Sequence, residues 1–295
     1  MTFLGLGSEV VVREEDPGGG VVKSSKTQGA SRAWIDAHSH WADPRLDAVR
    51  DEWMTQALRE GLVGTLQGGV GPEDWDRQVD FAKKYPGRVA LCFGLHPYWV
   101  AEHPEEQLET ALDLLSKRIA QAAALGETGL DLRPQYESAF ELQMRAFEAQ
   151  LELAEVARKP LVLHLVQAFD EALRVFDVWG RPAYGGMVHS FNGSWPQAEA
   201  YLERGLKISV GGPLIREKNQ RLKQAVQNIP ISELLLETDL PDQPGDNWQG
   251  KLNPPQSLLE VAQEVGRLKK LPVDEVLHFT TQNFKTVFKV GFENP

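Results

Sequence analysis

From Trp34 onward the chain alternates short apolar runs with longer amphipathic stretches. The runs at 34–38, 64–67, 89–95, 123–127, 161–165, 186–189, 206–210 and 234–238 read as eight strands. Between the fourth and fifth, Phe140, Met144, Phe147, Leu151 and Ala154 recur at spacings of four, three, four and three, which puts them on one helical stripe. Further helices are expected near 45–60, 73–85, 105–121, 168–178, 195–204, 217–227, 255–269 and 273–288. Eight strand-then-helix units, with no Gly-x-Gly-x-x-Gly after the first strand, predict an α/β chain folded as a closed (β/α)8 TIM barrel rather than an open dinucleotide-binding sheet. The barrel is assigned to residues 34–295, with its chemistry at the C-terminal ends of the strands.

Residues 1–33 lack either period. Pro17-Gly18-Gly19-Gly20 and the Ser/Lys/Gly stretch from Lys23 to Ser31 concentrate backbone breakers and polar groups, so a disordered, flexible N-terminal extension is expected.

Composition adds three constraints. With 42% hydrophobic residues in 295, the chain can bury a sizeable core. Its net charge of −11 argues against adhesion to polyanions through general surface charge, so an anionic substrate needs a local binding device. The lone Cys92 lies in an apolar run, which excludes an internal disulfide and favours a buried, inert thiol in a reducing compartment. With no apolar run of 18 residues and no signal-peptide pattern at the N-terminus, a soluble cytoplasmic protein is expected.

Polar residues at the strand ends carry the chemistry. Asp36-Ala37-His38-Ser39-His40 ends the first strand, and the two-residue step turns both imidazoles to one side. Glu127 is expected to close the fourth strand, His164 the fifth and His189 the sixth, with Asp239 directly after the eighth. An imidazole or carboxylate there is poorly solvated unless paired or metal-bound. His38, His40, Glu127, His164, His189 and Asp239 thus supply four nitrogens and two oxygens for one or two divalent metal ions, with zinc, manganese or magnesium as candidates. His96, in Gly94-Leu95-His96-Pro97, points to the same mouth as a substrate contact. His103 and His278 read as ordinary surface or packing residues.

These blocks, with Gly126-Glu127-Thr128-Gly129-Leu130-Asp131, Gln143-x-x-x-Phe147-x-x-Gln150, Pro160-Leu161-Val162-Leu163-His164, His189-Ser190-Phe191-Asn192-Gly193-Ser194 and Glu237-Thr238-Asp239, resemble the TatD-type metal-dependent hydrolases. That family consists of barrels of the wider amidohydrolase-like class, several of them deoxyribonucleases. The likeness covers roughly residues 34–290. It implies that the six donors are metal ligands, that Glu127 bridges two ions, and that His96 contacts a phosphate or transition state.

Two departures bear on the substrate. Where the family usually has arginine two positions after the fifth-strand histidine, this chain has Val166. Where it tends to show Arg-Asn-x-Pro, the chain reads Leu252-Asn253-Pro254-Pro255, with Lys251 adjacent. Both remove a guanidinium fork suited to phosphate. Trp41, in place of a small apolar residue, reads as packing at the barrel mouth. The expected activity is metal-dependent cleavage of DNA phosphodiester bonds, with Asp239 as general base, Glu127 on the metals and His96 stabilising developing charge. The alternatives are hydrolysis of an ester or amide small molecule, and a metal-binding barrel without nuclease activity.

Overall fold

The computed structural model describes residues 33–292. The N-terminal extension therefore lies, but for Ala33, outside the described residues. Nine parallel strands form the wall: β1 (Trp34–Ser39), β2 (Leu62–Gln67), β3 (Val89–Ala90), β4 (Cys92–Phe93), β5 (Ala124–Asp131), β6 (Leu161–Val166), β7 (Gly186–Val188), β8 (Leu206–Val210) and β9 (Leu234–Leu236). They pair in chain order, β1-β2-β3 and then β4 through β9. Every residue of β1, β2 and β5 is buried. Strands covered on both faces read as apolar runs rather than alternating ones, which is why the pattern was visible.

β3 and β4 together fill one barrel position. The run expected at 89–95 breaks at Leu91 because the Cys92 amide donates to the Gln78 side chain (3.3 Å) instead of to a neighbouring strand. The last strand is also shorter than expected. After Leu236 the chain crosses to β1: the Thr238 amide donates to Asp36 Oδ1 (2.9 Å), Asp239 N to His38 O (3.0 Å) and His40 N to Leu240 O (2.8 Å). The circle is thus closed by turns and a buried carboxylate instead of a strand ladder.

Inside the wall, Ile35, Val63, Ala90, Cys92, Val162, Met187 and Leu235 form a core completed by Phe284 and Phe288 of the last helix, Val273–Phe288. Burial pushes the Cys92 thiol well above its usual range, consistent with an inert thiol. A larger core fills the space between strands and outer helices, where Trp41 stacks on Phe81 (5.9 Å) as expected.

The helix Phe140–Ala157 is rotated from its expected stripe. Phe140 and Met144 are only half-buried, while Gln143 and Gln150 turn inward. Gln150 accepts from Leu95 N (2.7 Å) and donates to Leu95 O (3.1 Å). Gln143 does the same for Asp131 N (2.8 Å) and O (3.1 Å). Both carboxamides satisfy peptide groups near the ends of β4 and β5, which buried backbone requires. The helix Pro97–Glu102, not foreseen, starts with Pro97 at its first turn and His96 as its N-cap.

Candidate metal centre

Glu127 lies within β5 rather than at its end. Gly126 pairs with Val162 and Thr128 with Leu163, so Glu127 is an extra residue without a partner on β6. This bulge re-aims its side chain into the barrel mouth. His38 in β1 and His40 just beyond it project to the same place, as do His164 in β6, His189 after β7 and Asp239 three residues past β9. Gly68, after β2, leaves the room they need: a Cβ there would stand 2.5 Å from the His40 ring, 2.6 Å from the His38 ring and 2.7 Å from Glu127 Oε1.

The two Glu127 oxygens face different partners. Oε1 is 3.3 Å from His40 Nε2 and 3.6 Å from His38 Nε2, and those nitrogens lie 3.4 and 3.7 Å from Asp239 Oδ1. Oε2 is 2.7 Å from His189 Nε2, 3.3 Å from His164 Nδ1 and 3.5 Å from His96 Nε2. Burial raises the Glu127 pKa, but His189, His38, His96 and His40 outweigh it and hold the carboxyl well below its usual range. All six expected donors therefore meet, with His96 as a seventh group.

His38 Nδ1 and Nε2, Glu127 Oε1 and His189 Nδ1 are buried without a hydrogen-bond partner. His164 Nδ1 also lies 3.1 Å from imidazole nitrogens of both His96 and His189. Buried polar atoms left in this state cost about 1–3 kcal/mol each. A divalent cation resolves both the orphaned acceptors and the crowded nitrogens, so the residues present fit a metal.

His96 differs from the others. Its Nδ1 accepts from Tyr98 N (3.1 Å), and burial, with His164 beside it, holds its pKa down to about 3. A neutral ring that accepts at Nδ1 carries its proton on Nε2, so His96 presents an N–H to the centre.

Three further residues take part that sequence reasoning did not assign. Asp131, at the end of β5, has Oδ2 3.3 Å from His164 Nε2 and forms a double-pronged pair with Arg133. Buried Glu237 accepts from Ser190 N and Ser209 Oγ, both at 2.5 Å, beneath His189. Asp36, pushed up to about 8 by burial, accepts from Thr238 Oγ1 (2.6 Å) and so positions Asp239. Each stands in a quoted motif, but only the fold reveals its partner. His103 stacks on Trp99, and His278 is exposed on the last helix. Both play the minor parts expected.

Two cavities, of about 550 and about 510 Å³, share His164, His189, Asp239 and Gln243. The first is lined by Arg45, Arg77, Arg133 and Arg216 with Tyr98 and Tyr136. The second holds Leu165, Val166, Phe169, Asn192 and Arg221. Val166 thus faces the cleft, half-buried, and guanidinium groups arrive from other loops. Asn253 is buried and donates to Thr238 O (2.7 Å), which tethers the loop after β9.

Residues 35–289 match the family described as TatD related DNase. The chain belongs to the TatD family. It is 31% identical over 260 residues to the uncharacterized metal-dependent hydrolase YjjV of Escherichia coli (strain K12), covering 87% of this chain and 98% of that one. It is 29% identical over 244 residues to the 3'-5' ssDNA/RNA exonuclease TatD of Erwinia amylovora, covering 81% and 93% respectively. The crystal structure of the Escherichia coli K12 TatD homologue YjjV superposes with a TM-score of 0.80 at 30% identity, covering 88% of this chain and 99% of that one. TatD family membership makes this chain a metal-dependent hydrolase built on a TIM barrel. No described helix is long and apolar enough to cross a membrane.

Proposed function

We propose that this TatD-family chain hydrolyses phosphodiester bonds of single-stranded nucleic acid, DNA in the first place. The observation that carries the reading is the division of the Glu127 oxygens between two donor sets at the floor of an arginine-lined cleft. His38, His40, Glu127 and Asp239 would hold one divalent ion; Glu127, His164 and His189 would hold a second. Zinc or manganese suits the imidazole-rich set, with magnesium as the weaker candidate. Such ions lower the pKa of water toward neutrality and polarise a phosphoryl oxygen.

The chain's own groups do the rest. Asp239, its carboxyl held below the usual range against the push of burial by His40 and its neighbours, accepts the proton of the attacking water. His96 donates Nε2–H to charge developing on the phosphate and, being neutral, adds no competing cation. The arginines of the first cavity stand among carboxylates, Asp43, Asp74, Glu127, Asp239 and Asp242, so local attraction of a polyanion would need the positive charge of the bound ions added to theirs. The relatives named as ssDNA/RNA exonucleases support the same substrate class. A cytoplasmic setting belongs to this proposal and is supported by the single cysteine, which forms no internal disulfide.

The apolar side of the second cavity, Leu165, Val166 and Phe169, favours one alternative: a small uncharged ester or amide. Hydrolysis of end-labelled single- and double-stranded DNA and RNA, beside ester and amide panels with each metal, tests the reading. Turnover of esters alone would replace the nuclease reading. No turnover of any kind, with metal bound, would leave a binding barrel.

A further inference from the structure

Four planar groups lie in sequence along one wall of the first cavity. Tyr98 packs on the His96 ring at 3.8 Å between centroids, Tyr136 lies 6.3 Å from Tyr98, and the Arg133 guanidinium stands 5.3 Å from the Tyr136 ring. The row begins at His96 in the candidate metal centre and ends at Arg133, whose partner Asp131 lies 3.3 Å from His164 Nε2. Its groups are held in place. Arg133 binds Asp131 through its Nε and Nη2 edge, at 2.9 and 2.5 Å, and Tyr136 Oη donates to Glu102 Oε1 (3.2 Å). Among the described residues, Arg133 Nη1 and the Tyr98 hydroxyl make no hydrogen bond, although both side chains line the cavity. Arg133 keeps 40% of its side-chain surface exposed.

We infer that Tyr98, Tyr136 and Arg133 form a nucleotide subsite beside the scissile bond, an inference that rests on the nuclease reading above. The tyrosine faces take the base and the free Nη1 edge of Arg133 takes a backbone phosphate. Flat aromatic faces bind any base without reading sequence, which suits an enzyme acting along a strand. A guanidinium already fixed on one edge by a carboxylate is ordered before the phosphate arrives, so little side-chain entropy is lost on binding. The subsite also supplies, from the end of β5, the phosphate contact that Val166 does not supply from β6.

The test uses the full chain with its metal and labelled single-stranded oligonucleotides carrying one abasic nucleotide at successive positions from the cleaved end. In the unaltered protein, an abasic residue at one position should raise KM by about tenfold, the size of a lost base–aromatic stack. Tyr98→Leu and Tyr136→Leu should raise KM on intact strands and lose most of that discrimination, with kcat little changed. Arg133→Gln should raise KM and lower the slope of log(kcat/KM) against log salt by about 0.7, one phosphate contact on a single strand, while Arg133→Lys keeps the slope. Metal content by elemental analysis should match the unaltered protein throughout. A second measurement needs no variant: deoxythymidine 5'-monophosphate should inhibit more strongly than deoxyribose 5-phosphate. Indifference to abasic residues at every position, retained discrimination in both tyrosine variants, or equal inhibition by the two monophosphates overturns the subsite and leaves the nuclease reading standing. Failure of the unaltered protein to cleave any oligonucleotide overturns both, and is seen before any variant is compared.

Discussion

Asp131→Asn separates metal positioning from folding. Asp131 Oδ2 faces His164 Nε2 at 3.3 Å and so favours the tautomer that leaves His164 Nδ1 free toward Glu127. The same oxygen is held by Arg133 Nη2 at 2.5 Å, so the imidazole receives the weaker share of the carboxylate. Substitutions of this kind cost roughly 10- to 100-fold in metal affinity, and the long His164 contact puts the expected loss near the lower limit, about tenfold or 1.4 kcal/mol. Arg133→Gln should act in the opposite sense, because it releases Oδ2 to His164, and metal affinity should hold or rise. Competition against a chromophoric chelator reads affinity, and thermal unfolding in excess chelator reads the fold separately. An Asp131→Asn protein with unchanged melting temperature in chelator and metal affinity within about twofold of the unaltered chain would refute the positioning role.

Other expectations follow from the same geometry. Glu127→Gln and Asp239→Asn should each abolish hydrolysis with the fold intact by circular dichroism, since each keeps its shape but removes a charge from the metal set; normal turnover in either would contradict the assignment. The purified chain should carry about one to two divalent ions by elemental analysis, and dialysis against chelator should remove activity, restored by adding metal back. Val166→Arg places a cation in the cleft rather than the core, so melting temperature should change little while nuclease kcat/KM rises, up to the 1.5–3 kcal/mol of a charge-assisted contact; a large fall in melting temperature would show that the side chain cannot reach the cavity. Glu264 pairs with Arg267 (2.8 Å) and Lys223 (3.3 Å), which holds its carboxyl below the usual range, Arg267 contributing most. Its contribution is therefore present above the ordinary carboxylate pKa and lost as pH falls through the lowered value, so Glu264→Gln should cost about 0.5 kcal/mol at neutral pH and progressively less as the pH of the denaturant titrations is lowered below the ordinary carboxylate range.

The strand pattern was legible because parallel barrel strands are buried on both faces and appear as bare apolar runs. The histidines proposed as ligands were legible because an imidazole or carboxylate ending such a run is poorly solvated unless paired or metal-bound. What stayed hidden depended on partners far along the chain. Glu127 occupies a bulge, and Gly126 and Thr128 on either side of it do not announce one. Gln143 and Gln150 stood out as part of a motif, but their task did not, since nothing local shows that Leu95 and Asp131 leave peptide groups to be satisfied. Arg133 carries no motif, so the arginines of the cleft became visible only once loops from different strands met above the same donors. The break at Leu91 had the same origin, a side chain of another helix replacing a strand partner.

The closure of the barrel between β9 and β1 has a consequence for when the protein can act. His38 and His40 come from the first strand and Asp239 from just beyond the last, and the hydrogen bonds that join those segments are made by the same residues or their immediate neighbours. A ribosome-bound chain that has not yet released residue 239 possesses the histidines but neither the carboxylate opposite them nor the turn that holds their backbone in place. With the site proposed above, competence is thereby tied to the release of residue 239: a shorter fragment carries the histidines without the carboxylate that faces them.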